Sequence, residues 1–237
     1  MAIGYVHASG SSGRQWRRWQ AELPGVAPDL LGSGANPPWT GPFTLQLDVD
    51  HLIGALAPHA PLDLVGHSYG GALALMLALQ RPDLVRRVVA YEPPLMGPLA
   101  TGADEDRELL ASIGPAGADP AVAGTETWLE AFVDWWNGRG AWAALGEPVR
   151  AEFVRVGPKV AAEVLGLAAD PLRLADYAQL QVPVTLIRGD QTPAAVAESL
   201  RRVGALPNVR SVQIDGGHMA PVTHPERLIP VVRAALG

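Results

Sequence analysis

One serine in this chain stands where a nucleophile can be built. Leu62-Asp-Leu-Val-Gly-His-Ser-Tyr-Gly-Gly71 runs from an apolar strand-like segment through Gly66-His67-Ser68-Tyr69-Gly70 into the apolar helical pattern Gly70–Gln80. Gly-x-Ser-x-Gly carries chemical meaning in that context, with a strand before it and a helix after it. A serine thrust out on so tight a turn occupies strained backbone space, and its neighbours at the two Gly positions must come without side chains. The helix that follows aims its first amides toward Ser68, which favours negative charge developing beside it. A hydroxyl is a poor nucleophile until a neighbouring base takes its proton, so the same chemistry needs one of the chain's six histidines.

The elements that must position this turn alternate. Short β-favouring runs at Ile3–Val6, Val26–Ala27, Leu62–Val65, Val88–Tyr91, Val184–Ile187 and Val209–Ile214 are each followed by Gly, Asp or Pro. Helical patterns at Thr44–Leu56, Gly70–Gln80, Ala194–Val203 and Pro225–Leu236 lie between most of them. The expected fold is α/β, a mostly parallel sheet of about six strands with helices on both faces. Five of the runs are nearly continuous in apolar character, as strands covered on both faces should be.

One interval breaks the rhythm. Residues 95–178 lack convincing strands, are punctuated by Pro98, Pro115, Pro120, Pro148, Pro158 and Pro171, and hold helical patterns near Asp104–Ile113, Thr125–Asn137 and Pro148–Leu167. The expected organisation is a core of residues 1–94 and 179–237 with a helical cap insertion at 95–178. An insertion late in a parallel sheet is well placed to lie over the carboxyl ends of the strands, where such folds bind ligands. It carries thirteen acids against six bases, a net −7, and four of the seven Trp: Trp128, Trp135, Trp136 and Trp142. Trp lines an apolar pocket and offers one N–H, so these four are candidate substrate contacts, with packing of the insertion as the alternative.

Composition narrows the field. The chain has 237 residues, 48% hydrophobic and 18% charged, which suits one folded domain with an inserted lobe. The absence of cysteine excludes a disulfide framework, a thiol nucleophile and thiolate metal sites. A net charge of −6 disfavours general affinity for nucleic acid or anionic membrane. Seventeen of the eighteen bases are Arg, a bias to which no function is assigned. Met1–Val6 shows no secretion-signal pattern, and the longest apolar stretch, Gly70–Leu79, is ten residues, so a cytoplasmic address is expected. No His-x-x-x-His, His-Glu-x-x-His or carboxylate cluster has metal-ligand spacing, and Gly32-Ser-Gly34 runs into Pro37-Pro38 rather than a helix. Neither a metal nor another cofactor is expected, and the partner is a small-molecule substrate.

These features together resemble the α/β-hydrolase fold superfamily, in its capped serine hydrolase branch, over nearly the whole chain. His7-Ala-Ser-Gly-Ser-Ser-Gly-Arg-Gln-Trp16 resembles the family's oxyanion loop, with Ala8 where Gly is customary. Asp29-Leu-Leu-Gly-Ser-Gly34 is similar to its Asp-x-x-Gly-x-Gly turn, and Asp215-Gly-Gly-His218 to the loop that carries its catalytic histidine. The chain starts almost directly on the family's third strand, without the first two. By resemblance, the amides of Ser9 and Tyr69 are the oxyanion donors and Ser68 is the nucleophile.

His218 is the expected base, since two glycines before it let the ring reach back over Ser68. His51 and His59 lie in and after a helical segment, His224 precedes Pro225 at a helix start, His7 is expected to bond within the oxyanion loop, and the ring of His67 should diverge from Ser68. The acid is open between two residues. The family's commonest slot, Gly-x-x-Asp after the penultimate strand, reads Gly189-Asp190-Gln191-Thr192, which leaves Asp190 two positions early. Glu92, at the end of the strand Arg87–Tyr91, matches the position used by other branches and is favoured; a Ser–His dyad without a carboxylate is the remaining case. The expected activity is hydrolysis of an ester, thioester or amide through an acyl-enzyme. Ser at the nucleophile position argues against the dehalogenase and epoxide-hydrolase branches. A cofactorless lyase or oxygenase, or a low-turnover ligand receptor of the same fold, are the alternatives.

Overall fold

The computed structural model describes residues 2–117 and 119–237. Met1 and Ala118, which the sequence reading includes in the N-terminal segment and the insertion, lie outside them. Five strands form one sheet in chain order: β1 (Ile3–Val6), β2 (Leu62–His67), β3 (Val85–Tyr91), β4 (Val184–Gly189) and β5 (Val209–Ile214), every neighbouring pair parallel. The sixth strand expected at Val26–Ala27 is reduced to a single bridge between Val26 and Gly4. Val26 donates to the Ile3 carbonyl and accepts from the Tyr5 amide, both at 2.8 Å. Pro24 and Pro28 flank it, and a residue without an N–H cannot extend the ladder in either direction.

Alternation along the strands explains why both faces are covered. Leu64, Val88, Ala90 and Leu186 point into one apolar cluster, which they share with α2 (Leu45–Leu56), α3 (Tyr69–Gln80) and α9 (Ala194–Val203). Their sequence neighbours Val65, Val89, Tyr91 and Ile187 point into the other, with Trp16, Trp19 of α1 (Arg17–Glu22) and Leu228, Ile229 and Val232 of α11 (Pro225–Leu236). Helix α3 is buried from Tyr69 to Ala78, so it is apolar on every side rather than amphipathic.

Between β3 and β4 the chain leaves the sheet through α4 (Asp104–Ala111), α5 (Glu126–Asn137), α6 (Ala141–Ala144), α7 (Glu147–Ala168) and α8 (Leu174–Tyr177). A separate small cluster of Trp128, Leu129, Val133, Trp142, Val156, Val160 and Ala161 holds α5, α6 and α7 together. After β5 comes α10 (Ala220–Thr223), just past His218. Among the described residues no helix is long and apolar enough to cross a membrane.

This topology creates the site. The connection from β1 leads outward to Val26, while that from β2 leads the opposite way, through α3 to β3. Adjacent strands whose connections diverge leave a crevice at their carboxyl ends, and here the loops after β1 and β2 bound it.

Candidate active site

Ser68 follows the last residue of β2 with φ 54° and ψ −123°, a conformation costly for any residue bearing a Cβ. The surrounding backbone over-determines it. Its amide donates to the Tyr91 carbonyl at 2.8 Å, and its own carbonyl accepts from Gly71 at 2.8 Å and Ala72 at 3.2 Å. The flanking glycines are required by contact: a Cβ on Gly66 would lie 2.6 Å from the Gly70 carbonyl oxygen, and one on Gly70 would lie 2.4 Å from that of Val6. Tyr69 opens α3, so its amide has no carbonyl one turn back to bond. Among the described residues, neither that amide nor Ser9's donates to another protein group. Ser9, Ser68 and Tyr69 line one cavity.

The histidine meets a carboxylate next to Trp136, which lines this cavity. His218 Nδ1 lies 2.7 Å from Glu92 Oε2, and both residues are buried. Glu92 is the second non-glycine residue with positive φ, at 45°, so strain marks this position as it marks Ser68. Its other oxygen, Oε1, accepts from the Gly189 amide at 2.8 Å and from the Thr192 hydroxyl. Burial pushes the Glu92 carboxyl up, but the His218 ring, the Thr192 hydroxyl and the Gly189 amide together hold it below the ordinary carboxylate value. The structure therefore brings Glu92 to the imidazole and not Asp190. Asp190 is exposed and its Oδ1 accepts from the Gly216 amide at 2.8 Å, bracing the loop that carries His218. Thr192, in the slot where a carboxylate was sought, serves the carboxylate that comes from β3 instead.

Sequence reasoning missed the part played by His67. Its ring bridges two loops. The Ala8 amide donates to Gln15 Oε1 at 3.2 Å, which leaves the Gln15 Nε2 to donate to His67 Nδ1 at 3.1 Å. His67 Nε2 then donates to the His218 carbonyl at 2.9 Å, so oxyanion loop and histidine loop are joined through one neutral ring. Burial and the neighbouring His218 hold the His67 pKa well below the ordinary histidine value, as that tautomer requires. His7 behaves as expected of a structural residue: it accepts from the Leu30 amide at Nε2, 3.0 Å, and donates from Nδ1 to the Ala8 carbonyl, 2.8 Å. Its complete burial pushes its pKa down to about 4. Asp29 ties the same region together, accepting from Gly13 at 2.7 Å and Ala35 at 2.8 Å.

The four tryptophans divide two and two. Trp135 and Trp136 line the cavity with Met96, Phe132 and Leu167, and none of its lining residues is charged. Trp136 also stacks on His218, ring centroids 3.7 Å apart and 20° from parallel. Trp128 and Trp142 are a correction to the substrate-contact reading: they pack inside the insertion's own cluster, Trp128 stacked on Phe132 with its Nε1 donating to Gly117. Sequence cannot separate these uses, because Trp is buried in either. The insertion's acids mostly face solvent, and the buried Asp106 and Glu163 are ion-paired, so its negative count does not describe the cavity wall.

Comparison with known proteins gives the family. The model of the alpha/beta hydrolase family matches residues 5–231. Lipase LipV of Mycobacterium tuberculosis is 31% identical over 260 aligned positions that cover 98% of this chain and 92% of that protein. The 2-hydroxymuconate semialdehyde hydrolase of Pseudomonas sp. (strain CF600) is 36% identical over 94 residues, 35% of this chain and 33% of that protein. Among solved structures, a hydrolase from Pseudomonas aeruginosa PA01 superposes with a TM-score of 0.76 at 20% identity, covering 100% of this chain and 89% of its own, a likeness of fold alone. With a family match over nearly its whole length and a relative above 30% identity end to end, the chain is a hydrolase of the alpha/beta hydrolase family.

Proposed function

We propose that the chain is a serine hydrolase cleaving the ester, thioester or amide of a small, partly apolar substrate through an acyl-enzyme on Ser68. The observations that carry this reading are the buried 2.7 Å contact of His218 Nδ1 with Glu92 and a serine held on a strained strand-to-helix turn. With Nδ1 engaged, Nε2 is the nitrogen free to take the Ser68 proton as Oγ attacks the carbonyl carbon. Glu92 holds the ring and supports the imidazolium; Ser9 and Tyr69 amides receive the developing oxyanion. The imidazolium returns its proton to the departing group, and a water activated by the same ring then releases the acid.

The insertion acts as the cap in this reading, with Trp135 and Trp136 at the substrate. An uncharged lining favours a neutral apolar group over a carboxylate or phosphate. The cavity measures about 70 Å³, which fits a short acyl chain. The likeness to a protein named lipase supports an ester as the first substrate to try. A panel of p-nitrophenyl esters tests this directly: multiple turnover is expected, with kcat/KM highest for acyl chains of about four to six carbons. Failure of every chain length to turn over would reject the reading, and a preference for long chains would reject its account of the cavity.

A further inference from the structure

Against Tyr69, one of the two residues whose amides are assigned to the oxyanion, lies a buried ionic cluster that the proposed mechanism does not use. Lys159, on α7 of the insertion, is the chain's one lysine among seventeen arginines. It is buried, and its Nζ lies 2.7 Å from Asp48 Oδ2 and 2.7 Å from Glu163 Oε1, both carboxylates also buried. The Phe43 ring closes one side, its centroid 4.1 Å from Nζ. Buried ion groups of this kind contribute little net stability over apolar residues of the same volume, so folding alone leaves the three charges unexplained.

What the two carboxylates hold is the informative part. Asp48 Oδ2 accepts the Tyr69 hydroxyl at 2.8 Å, and its Oδ1 accepts the Leu31 amide at 3.1 Å. Glu163 Oε1 accepts from Lys159, while its buried Oε2 has no hydrogen-bond partner among the described residues. Tyr69, whose amide is assigned to the oxyanion, thus has its hydroxyl on a carboxylate that the Lys159 ammonium also grips.

We infer that Lys159 is a positioning residue that, through Asp48, fixes Tyr69 and with it the Tyr69 amide, and so couples the seating of the insertion to oxyanion stabilisation. The inference rests on the serine-hydrolase reading above. Donors must stand within about 2.7–3.1 Å of the developing oxyanion, and a displacement near 1 Å costs on the order of 10²-fold in rate. Because the oxyanion forms only on the way to the transition state, losing the clamp lowers kcat and leaves KM nearly unchanged.

The test compares Lys159→Met, Tyr69→Phe and the double variant on an ester that the wild type turns over in a Ser68-dependent manner. Lys159→Met is expected to lower kcat about 10- to 100-fold, with KM within about threefold and one fluorophosphonate label per chain retained. Tyr69→Phe, which removes a single hydroxyl and spares the fold if Lys159→Met does not, should lower kcat in the same sense. The double variant should lose little more than the worse single, as expected for two residues acting through one contact chain. Additive losses, a Tyr69→Phe kcat within about twofold of wild type, or effects confined to KM or to melting temperature overturn the coupling while leaving the hydrolase reading intact. Absence of Ser68-dependent turnover in the wild type overturns both.

Discussion

Ser68→Ala is expected to lower kcat by a factor on the order of 10⁴–10⁶ while leaving the fold unchanged. The substitution removes one oxygen from a turn whose strain is carried by the backbone, and Ala at φ 54° is no worse placed than Ser. Everything else that recognises the substrate stays, so KM should move far less than kcat. The residue that remains is catalysis by the oxyanion amides and binding alone, on the order of 10³–10⁴ over water in triad enzymes. Steady-state ester hydrolysis beside a melting curve checks both halves. A variant that keeps a tenth of wild-type kcat removes Ser68 from the chemistry.

Glu92→Gln is expected to cost roughly 10²–10⁴ in kcat, because a neutral amide cannot support the imidazolium and can donate where the ring needs an acceptor. Asp190→Asn should cost under about tenfold, since that side chain braces the Gly216 amide rather than the imidazole. The reverse ranking gives the role to Asp190, and two small losses mean a dyad. A second readout follows from the Glu92 environment. Its folded pKa lies below the ordinary glutamate value, so the pair's contribution to stability is present above that value and is lost as pH falls through the folded pKa. Denaturant midpoints measured down the acid range should therefore fall less steeply for Glu92→Gln than for the wild type.

How much of this was legible depended on how local each constraint is. The elbow at Ser68 could be read because its requirement sits within two residues: glycines at 66 and 70 where a Cβ has no room. The acid could be narrowed but not chosen, since its identity depends on the register of β3 against β4. Tyr91 pairs with Ile187, which sets Glu92 beside Gly189 and lets Thr192 close over its carboxylate. The Lys159 cluster was invisible, because Asp48 and Lys159 lie 111 positions apart and each reads as an ordinary polar residue of its helix. Helices α6, α8 and α10 span four residues each, too short to show a period. The strand at Val26 was over-read because its β-favouring side chains are visible in sequence, whereas the two prolines that stop its ladder act through the absent N–H.

The central claim is that the acyl group passes through Ser68. Rapid quenching of the wild type with p-nitrophenyl butyrate, followed by intact-mass and peptide mapping, tests it without any substitution. The expected result is one butyryl adduct per chain, on the peptide containing Gly66-His67-Ser68-Tyr69-Gly70, formed and discharged at least as fast as kcat. Turnover with no adduct, or an adduct on any other side chain, contradicts it.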